Sequence, residues 1–237
     1  LLALIKIGAL PVLQNSQLGE EEIAHVLEHS GARAAVTLRS VAEPLLNLSG
    51  ELPAGIFAAR GAPAGTEPVE NLIYNAPGDV FPCADTAAND PAFFVYTSGT
   101  TGRPKGIVHA HRWLIALGDA NRYRLPTLPG DRVYATGEWS FISALGHNVM
   151  FPLRNGVTGV ILEDRASPEN VLQTVQNHKV TVMYSVATVY RRMLAIDDVE
   201  CRYDLVSLRG CNATGEALEA ATWREFKERI GCEIWEH

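Results

Sequence analysis

The sequence predicts an α/β protein in which sheets are flanked by helices in layers, and two observations carry that prediction. From Arg132 onward, short apolar runs alternate with amphipathic helical segments, the order that builds a parallel sheet covered by helices. Earlier, Phe93-Phe94-Val95-Tyr96, aromatic and branched, reads as a short buried strand. The totals agree, since 237 residues with 47% hydrophobic and 20% charged composition suffice for one large core or two smaller ones.

Taken in order, Leu1 to Leu10 has helical apolar spacing and ends near Gly8 and Pro11. Gly19-Glu20-Glu21-Glu22 opens a second helix, with Ile23, Val26 and Leu27 on one face and acids in the first turn, where the helix dipole favours them. Gly31 closes it, and Ala34 to Thr37 reads as a strand. His25 and His29 stand four apart on this helix, a spacing that can bind a metal; with no third ligand nearby, a solvated helix face is the expected reading. Leu46 to Pro91, rich in Gly, Pro, Ala and Asn, predicts surface connection with one or two short strands. Gly106 to Ala110 can form a strand and Arg112 to Arg124 a helix, with Trp113, Leu114, Leu117 and Ala120 on one side. His109 and His111 share a face of extended chain, again without a third ligand, so no metal site is expected.

Pro126 to Asp131 holds two prolines and a glycine in six residues and marks a boundary between an α/β portion at 1–127 and a second at 128–237. The second portion predicts strands at Arg132–Tyr134, Gly159–Leu162, Val180–Tyr184 and Leu205–Gly210. Helices are expected at Leu145–Leu153, Pro168–His178 (with Ser167 as N-cap), Ala187–Ile196 and Leu218–Ile230. Ligands of such sheets sit beyond the carboxyl ends of the strands, where Gly210 to Gly215 would lie.

A formal charge of −7 argues against a general nucleic-acid or anionic-membrane surface, so any phosphate site must be local. Four cysteines without Cys-x-x-Cys spacing argue against zinc and favour a reduced, cytoplasmic setting. No run approaches the roughly 20 apolar residues of a membrane span. Leu1 to Leu13 reads as core rather than as a signal peptide, and a chain opening without methionine inside an apolar segment reads as cut from something larger.

The chemistry gathers after Tyr96. Thr97, Ser98, Gly99, Thr100, Thr101 and Gly102 are six small hydroxyl or glycine residues in a row, and they cannot pack a core. They can offer backbone amides and hydroxyls, and Lys105, next to rigid Pro104, adds a point charge. Amides, hydroxyls and one lysine on a concave turn suit a polyphosphate. The Walker pattern fails, because Lys105 is followed by Gly106 rather than a hydroxyl residue.

The full string Thr97-Ser98-Gly99-Thr100-Thr101-Gly102-Arg103-Pro104-Lys105-Gly106 resembles, over ten positions, the signature loop of the adenylate-forming superfamily: acyl- and aryl-CoA synthetases, peptide-synthetase adenylation domains and luciferases. The resemblance implies the fold of the large N-terminal domain of such an enzyme. It also implies that Thr97 to Gly102 and Lys105 grip the β- and γ-phosphates of ATP while a carboxylate attacks the α-phosphate. ATP, Mg2+, coenzyme A and a small carboxylic acid follow as its partners, with benzoate– and medium-chain-acid–CoA ligases as the nearest kinds of relative. The segment with Ile7-Gly8-Ala9 and Ser30-Gly31-Ala32 resembles the same family more loosely.

Further matches follow. Gly137 to Asn148 resembles a wall of the acid pocket, with Phe141 and Ala144 facing the acid. Peptide-synthetase domains commonly place an aspartate just after that aromatic residue, whereas Ile142 stands here and Trp139 to Leu153 contains no acid. An ammonium buried there would lack a counter-charge, so the resemblance implies an apolar or aromatic acid. Tyr184 to Leu194 resembles the pocket-lining strand end and helix, with Val186 and Tyr190 at the pocket and Ala187 where proline is usual. Gly210 to Leu218 resembles the adenine-binding turn; Gly215, Glu216 and Ala217 would read adenine while Ala213 and Thr214 face the acid. No catalytic residue and no metal ligand is assigned. Relatives continue past this sequence's end into Tyr-Gly-x-Thr-Glu and a small C-terminal domain with the catalytic lysine, so the expected activity is that of a longer acid–CoA ligase, and the chain alone would be inactive. Loading of a carrier protein and a non-catalytic nucleotide-binding module are the alternatives.

Overall fold

The computed structural model describes residues 1–97 and 103–236. The chain divides into two compact units, Leu1–His111 and Arg112–His237, so the division falls ahead of the Pro126–Asp131 turn.

The first unit holds β1 (Val12–Leu13), β2 (Ala35–Leu38), β3 (Ile56–Ala59), β4 (Glu67–Pro68), β5 (Pro91–Thr97) and β6 (Lys105–Ala110). Strands β2, β3 and β4 form one parallel sheet; β1 runs parallel to β5, which pairs antiparallel with β6. Helix Glu20–Ser30 begins as its acids predict: the Glu22 carboxylate accepts from the Gly19 N–H at 3.0 Å, and Gly31 ends the helix at φ 62°. Its buried Ile23 and Leu27 pack with Leu45, Leu52 and Ile56.

The second unit is built on β7 (Arg132–Ala135), β8 (Thr158–Val160), β9 (Val182–Ser185), β10 (Gly210–Ala213) and β11 (Ile234–Glu236), all parallel in the order β11-β10-β9-β7-β8. One face packs Tyr134, Met183 and Cys211 against helices Pro168–His178, Ala187–Leu194 and Ala220–Ile230. The other packs Val133, Ala135, Val182 and Tyr184 against Ala144 and Phe151. The chain leaves β7 toward β8 over one face, and leaves β9 toward β10 over the other. The switch point of the sheet therefore lies between the carboxyl ends of β7 and β9.

Two expectations for this unit are corrected. The strand expected at Leu205–Gly210 lies later, at Gly210–Ala213. The Leu205–Leu208 segment is a turn closed by Leu208 N–H to Leu205 C=O at 3.0 Å, and its two leucines are buried for packing rather than pairing. The helix expected at Leu145–Leu153 starts earlier and is interrupted. Ile142–Leu145 runs into a π-turn at Gly146–Met150 and then into helix Phe151–Asn155. Among the described residues no helix is long and apolar enough to cross a membrane.

Candidate active site

In the first unit, the two strands bordering the expected phosphate loop form a hairpin. Thr97 is the last paired residue of β5 and Lys105, its register partner, the first of β6; both are exposed. Ser98, Gly99, Thr100, Thr101 and Gly102 lie outside the described residues. Phe93 is fully buried and stacks on His109 with ring centroids 4.8 Å apart, and burial lowers the pKa of that histidine. The expected solvated role of His25 and His29 is not what the structure shows. His25 Nε2 lies 3.1 Å from the Pro104 carbonyl oxygen and His29 Nδ1 lies 2.7 Å from the Tyr96 hydroxyl.

In the second unit, the carboxyl ends of β7, β9 and β10 carry the remaining candidates. At the switch point the Thr136 and Ser185 hydroxyls meet at 2.6 Å, and the Thr136 N–H donates to the Tyr184 carbonyl at 3.1 Å. The Thr214 N–H donates to the Ser185 carbonyl at 3.0 Å, which ties the loop after β10 to β9. Phe141, 58% exposed, caps the helical stretch that leaves β7, and Ala144 is buried one turn further on. Val186 is 38% exposed and Thr214 half-buried, so Phe141, Val186 and Thr214 stand at the open ends of neighbouring strands. Tyr190 and Ala213 do not join them. Both are fully buried on the opposite face, where the Tyr190 hydroxyl donates to the Asn212 carbonyl at 2.8 Å and its ring meets Phe226 edge-on.

Sequence reading missed the residues that set the wall after β7. The π-turn points successive residues inward. His147, 5% exposed, stacks on Tyr184 at 3.7 Å between ring centroids, with Nδ1 2.7 Å from the Ser143 carbonyl oxygen. Asn148 accepts from the Ala135 N–H at 2.7 Å and donates to the Ala135 carbonyl at 2.8 Å. Strand β8 stops opposite Tyr134, and Asn148 takes the place of the missing neighbour at the end of β7. Burial pushes the Tyr184 phenol up to about 12, so it stays neutral. Its hydroxyl and the Oδ1 of Asn212, its register partner on β10, are buried and have no hydrogen-bond partner among the described residues. Registered partners project to the same face of a sheet, so both atoms lie on the His147 side.

The turn after β10 is held by its own charge. Gly215 sits at φ 86°, a conformation that favours glycine, and Gly215, Glu216 and Ala217 are exposed. The Glu216 carboxylate accepts from the Thr188 N–H in the first turn of helix Ala187–Leu194, and the Thr188 hydroxyl and N–H together lower its pKa. Arg191 donates to the Thr188 hydroxyl at 2.8 Å and to Glu219 at 3.0 Å, and the Leu218 N–H donates to Glu236 at 2.9 Å. Glu216 is thus a helix cap as well as part of the turn. Replacing it with alanine is expected to lower unfolding stability by about 1 kcal/mol; urea unfolding measures this, and an unchanged midpoint would contradict it.

The AMP-binding enzyme family profile matches residues 1–237. The chain belongs to that family. It is 33% identical over 236 residues to a benzoate–CoA ligase of Thauera aromatica, a match covering 98% of this chain and 44% of that protein. A 4-hydroxybenzoate–CoA/benzoate–CoA ligase of Rhodopseudomonas palustris is 30% identical, over 97% of this chain and 43% of its own length. An anthranilate–CoA ligase crystallised with anthranoyl-AMP superposes with a TM-score of 0.91 at 31% identity, covering 97% of this chain and 45% of that one. A benzoate–CoA ligase of Burkholderia xenovorans superposes with a TM-score of 0.84 at 27% identity, over 99% of this chain and 46% of that one. The chain of this AMP-binding enzyme therefore spans less than half the length of these relatives, and its fold is that of their N-terminal domains.

Proposed function

We propose that the protein carrying this chain is an ATP-dependent ligase that joins an aromatic carboxylic acid to coenzyme A. The carboxylate oxygen attacks the α-phosphorus of ATP and releases pyrophosphate, giving an acyl-adenylate. The thiol of coenzyme A then attacks the acyl carbon, forming the thioester and releasing AMP and a proton. In this reading the loop Thr97, Ser98, Gly99, Thr100, Thr101, Gly102 with Lys105 binds the β- and γ-phosphates, and Gly215, Glu216 and Ala217 bind the adenine. Phe141, Ala144, Val186 and Thr214 contact the acid. Mg2+ enters as the counter-ion of ATP; among the described residues no group of three or more His, Cys, Asp or Glu side chains could hold a metal. The cytoplasm is the compartment that suits it, and Cys211 and Cys232, free thiols 3.7 Å apart, are consistent with a reducing one.

The observation that carries the aromatic assignment is the wall after β7. From Trp139 to Leu153 it holds no acidic residue, and it lays the flat His147–Tyr184 stack beneath the switch point. Such a wall is apolar, backed by stacked rings, and offers an ammonium no counter-charge. The test is to incubate the whole protein with ATP, Mg2+, coenzyme A and, in turn, benzoate, hydroxybenzoates, anthranilate and acetate, and to quantify thioester and AMP by mass spectrometry. The expected result is an aryl-CoA formed in equal amount with AMP, and at least tenfold preference for an aromatic acid over acetate, about 1.4 kcal/mol of pocket contact. Formation of ADP in place of AMP, or equal use of acetate, would defeat the assignment.

A further inference from the structure

The hairpin that carries the phosphate loop is gripped from outside by one turn of helix Glu20–Ser30. His25 contacts the backbone on one side of the loop, since its Nε2 donates to the carbonyl of Pro104, the residue before Lys105, at 3.1 Å. One turn later His29 contacts the other side: its Nδ1 lies 2.7 Å from the hydroxyl of Tyr96, the residue before Thr97, and the ring meets Tyr96 edge-on. The Tyr96 ring in turn covers Gly106, its register partner, so closely that a Cβ there would lie 3.0 Å from the ring.

Pro104 is decisive. Among the described residues the β5–β6 ladder ends at the Thr97–Lys105 pair, and Pro104 lies just beyond it. Proline has no N–H of its own, so its carbonyl is the one backbone handle that Pro104 offers. His25 holds that handle from a helix anchored in the core by Val26 and Leu27. Neither contact is needed to bury apolar surface, since His29 is exposed and His25 half-buried.

We infer that His25 and His29 are positioning residues for the phosphate loop: they fix its two stems at Pro104 and Tyr96, and so hold Thr97 and Lys105 in place for the terminal phosphates of ATP. The inference rests on the phosphate-binding reading of Thr97–Lys105. A site ordered beforehand loses less entropy when its ligand arrives, and the benefit falls only on groups the loop touches. ATP should therefore feel the histidines, and AMP, which lacks the β- and γ-phosphates, should not.

The test is calorimetric titration of MgATP and, separately, AMP into the full chain and into His25→Leu, His25→Gln and His29→Phe, with thermal unfolding of each variant as a check on folding. His25→Leu and His29→Phe are expected to weaken MgATP roughly threefold to tenfold each, the worth of one hydrogen bond, and to leave AMP unchanged. His25→Gln, whose amide can still donate to Pro104, is expected to recover most of the loss. Unchanged MgATP affinity in His25→Leu, or an equal loss of MgATP and AMP, would overturn the positioning role. A wild-type chain with no preference for MgATP over AMP would instead overturn the phosphate-loop reading, and the inference would fall with it.

Discussion

Replacing Asp131 with alanine is expected to lower the unfolding free energy of the Arg112–His237 unit by about 3 kcal/mol, the lower end of the cost of breaking a buried ion pair from one side. Asp131 is 3% exposed and immediately precedes β7. Its Oδ1 accepts from Arg209 Nε at 2.9 Å and the Thr181 hydroxyl at 2.8 Å; its Oδ2 accepts from Arg209 at 2.5 Å and the Leu128 N–H at 2.7 Å. One carboxylate thus binds the amino ends of β7 and β10 and the end of the segment leading to β9. Without it, the Arg209 guanidinium, one quarter exposed, keeps among the described residues only the Pro126 carbonyl at 2.8 Å. Asparagine is no rescue, because either orientation of its amide sets an N–H against an N–H of Arg209.

The same residue gives a pH dependence of definite sign. Burial alone would raise the Asp131 pKa, but the bonds from Arg209, Leu128 and Thr181 outweigh it and hold the carboxyl below its ordinary 3.8. A group depressed in the folded state stabilises fully above its unfolded value and loses that contribution as pH falls through the folded one. The gap between wild type and Asp131→Ala should therefore be constant from pH 7 to about 5 and should shrink below about 4. Guanidinium unfolding across that range measures it; a gap that widens in acid would show that the pair is not the source.

Much of this architecture was legible in the sequence, for identifiable reasons. Helix Glu20–Ser30 was visible because its signals are local: three acids in the first turn, an apolar face and Gly31 at the end. The same holds for helix Pro168–His178, where the Ser167 hydroxyl accepts from the Asn170 N–H at 3.2 Å. What was not legible depends on partners far away in the chain. Gly210-Cys211-Asn212-Ala213 has little strand character, and it is a strand because β9 and β11 pair with it on both sides; Gly210 lies against Leu125, where even a Cβ would come within 3.0 Å. His25 and His29 look like solvated helix positions because their partners are 79 and 67 residues away. Tyr190 was expected in the pocket from a matching string, yet helical periodicity turns it toward Phe226 and the core. The π-turn carries no sequence signal of its own and shows itself only through what it presents.

That π-turn should be the other most sensitive point of the unit. Asn148→Ala removes both hydrogen bonds to Ala135 and leaves a buried N–H and a buried C=O unpaired where β8 no longer reaches. Two orphaned backbone groups at roughly 1–3 kcal/mol each put the loss at about 3 kcal/mol. Gly159→Ala should strike the same place from below, since a Cβ on β8 would lie 2.4 Å from the Asn148 carbonyl oxygen, a backbone atom that can yield only if the π-turn moves. If both variants act by displacing this turn, the second adds little once the first has moved it, and their stability losses in urea must sum to clearly more than that of the double variant. Strict additivity would mean that Asn148 and Gly159 support separate parts of the sheet. Because His147 sits beside Asn148 and stacks on Tyr184, the same displacement should tilt the wall of the proposed acid pocket. Either variant, assayed while still folded, should then lose affinity for the aromatic acid and keep its affinity for AMP.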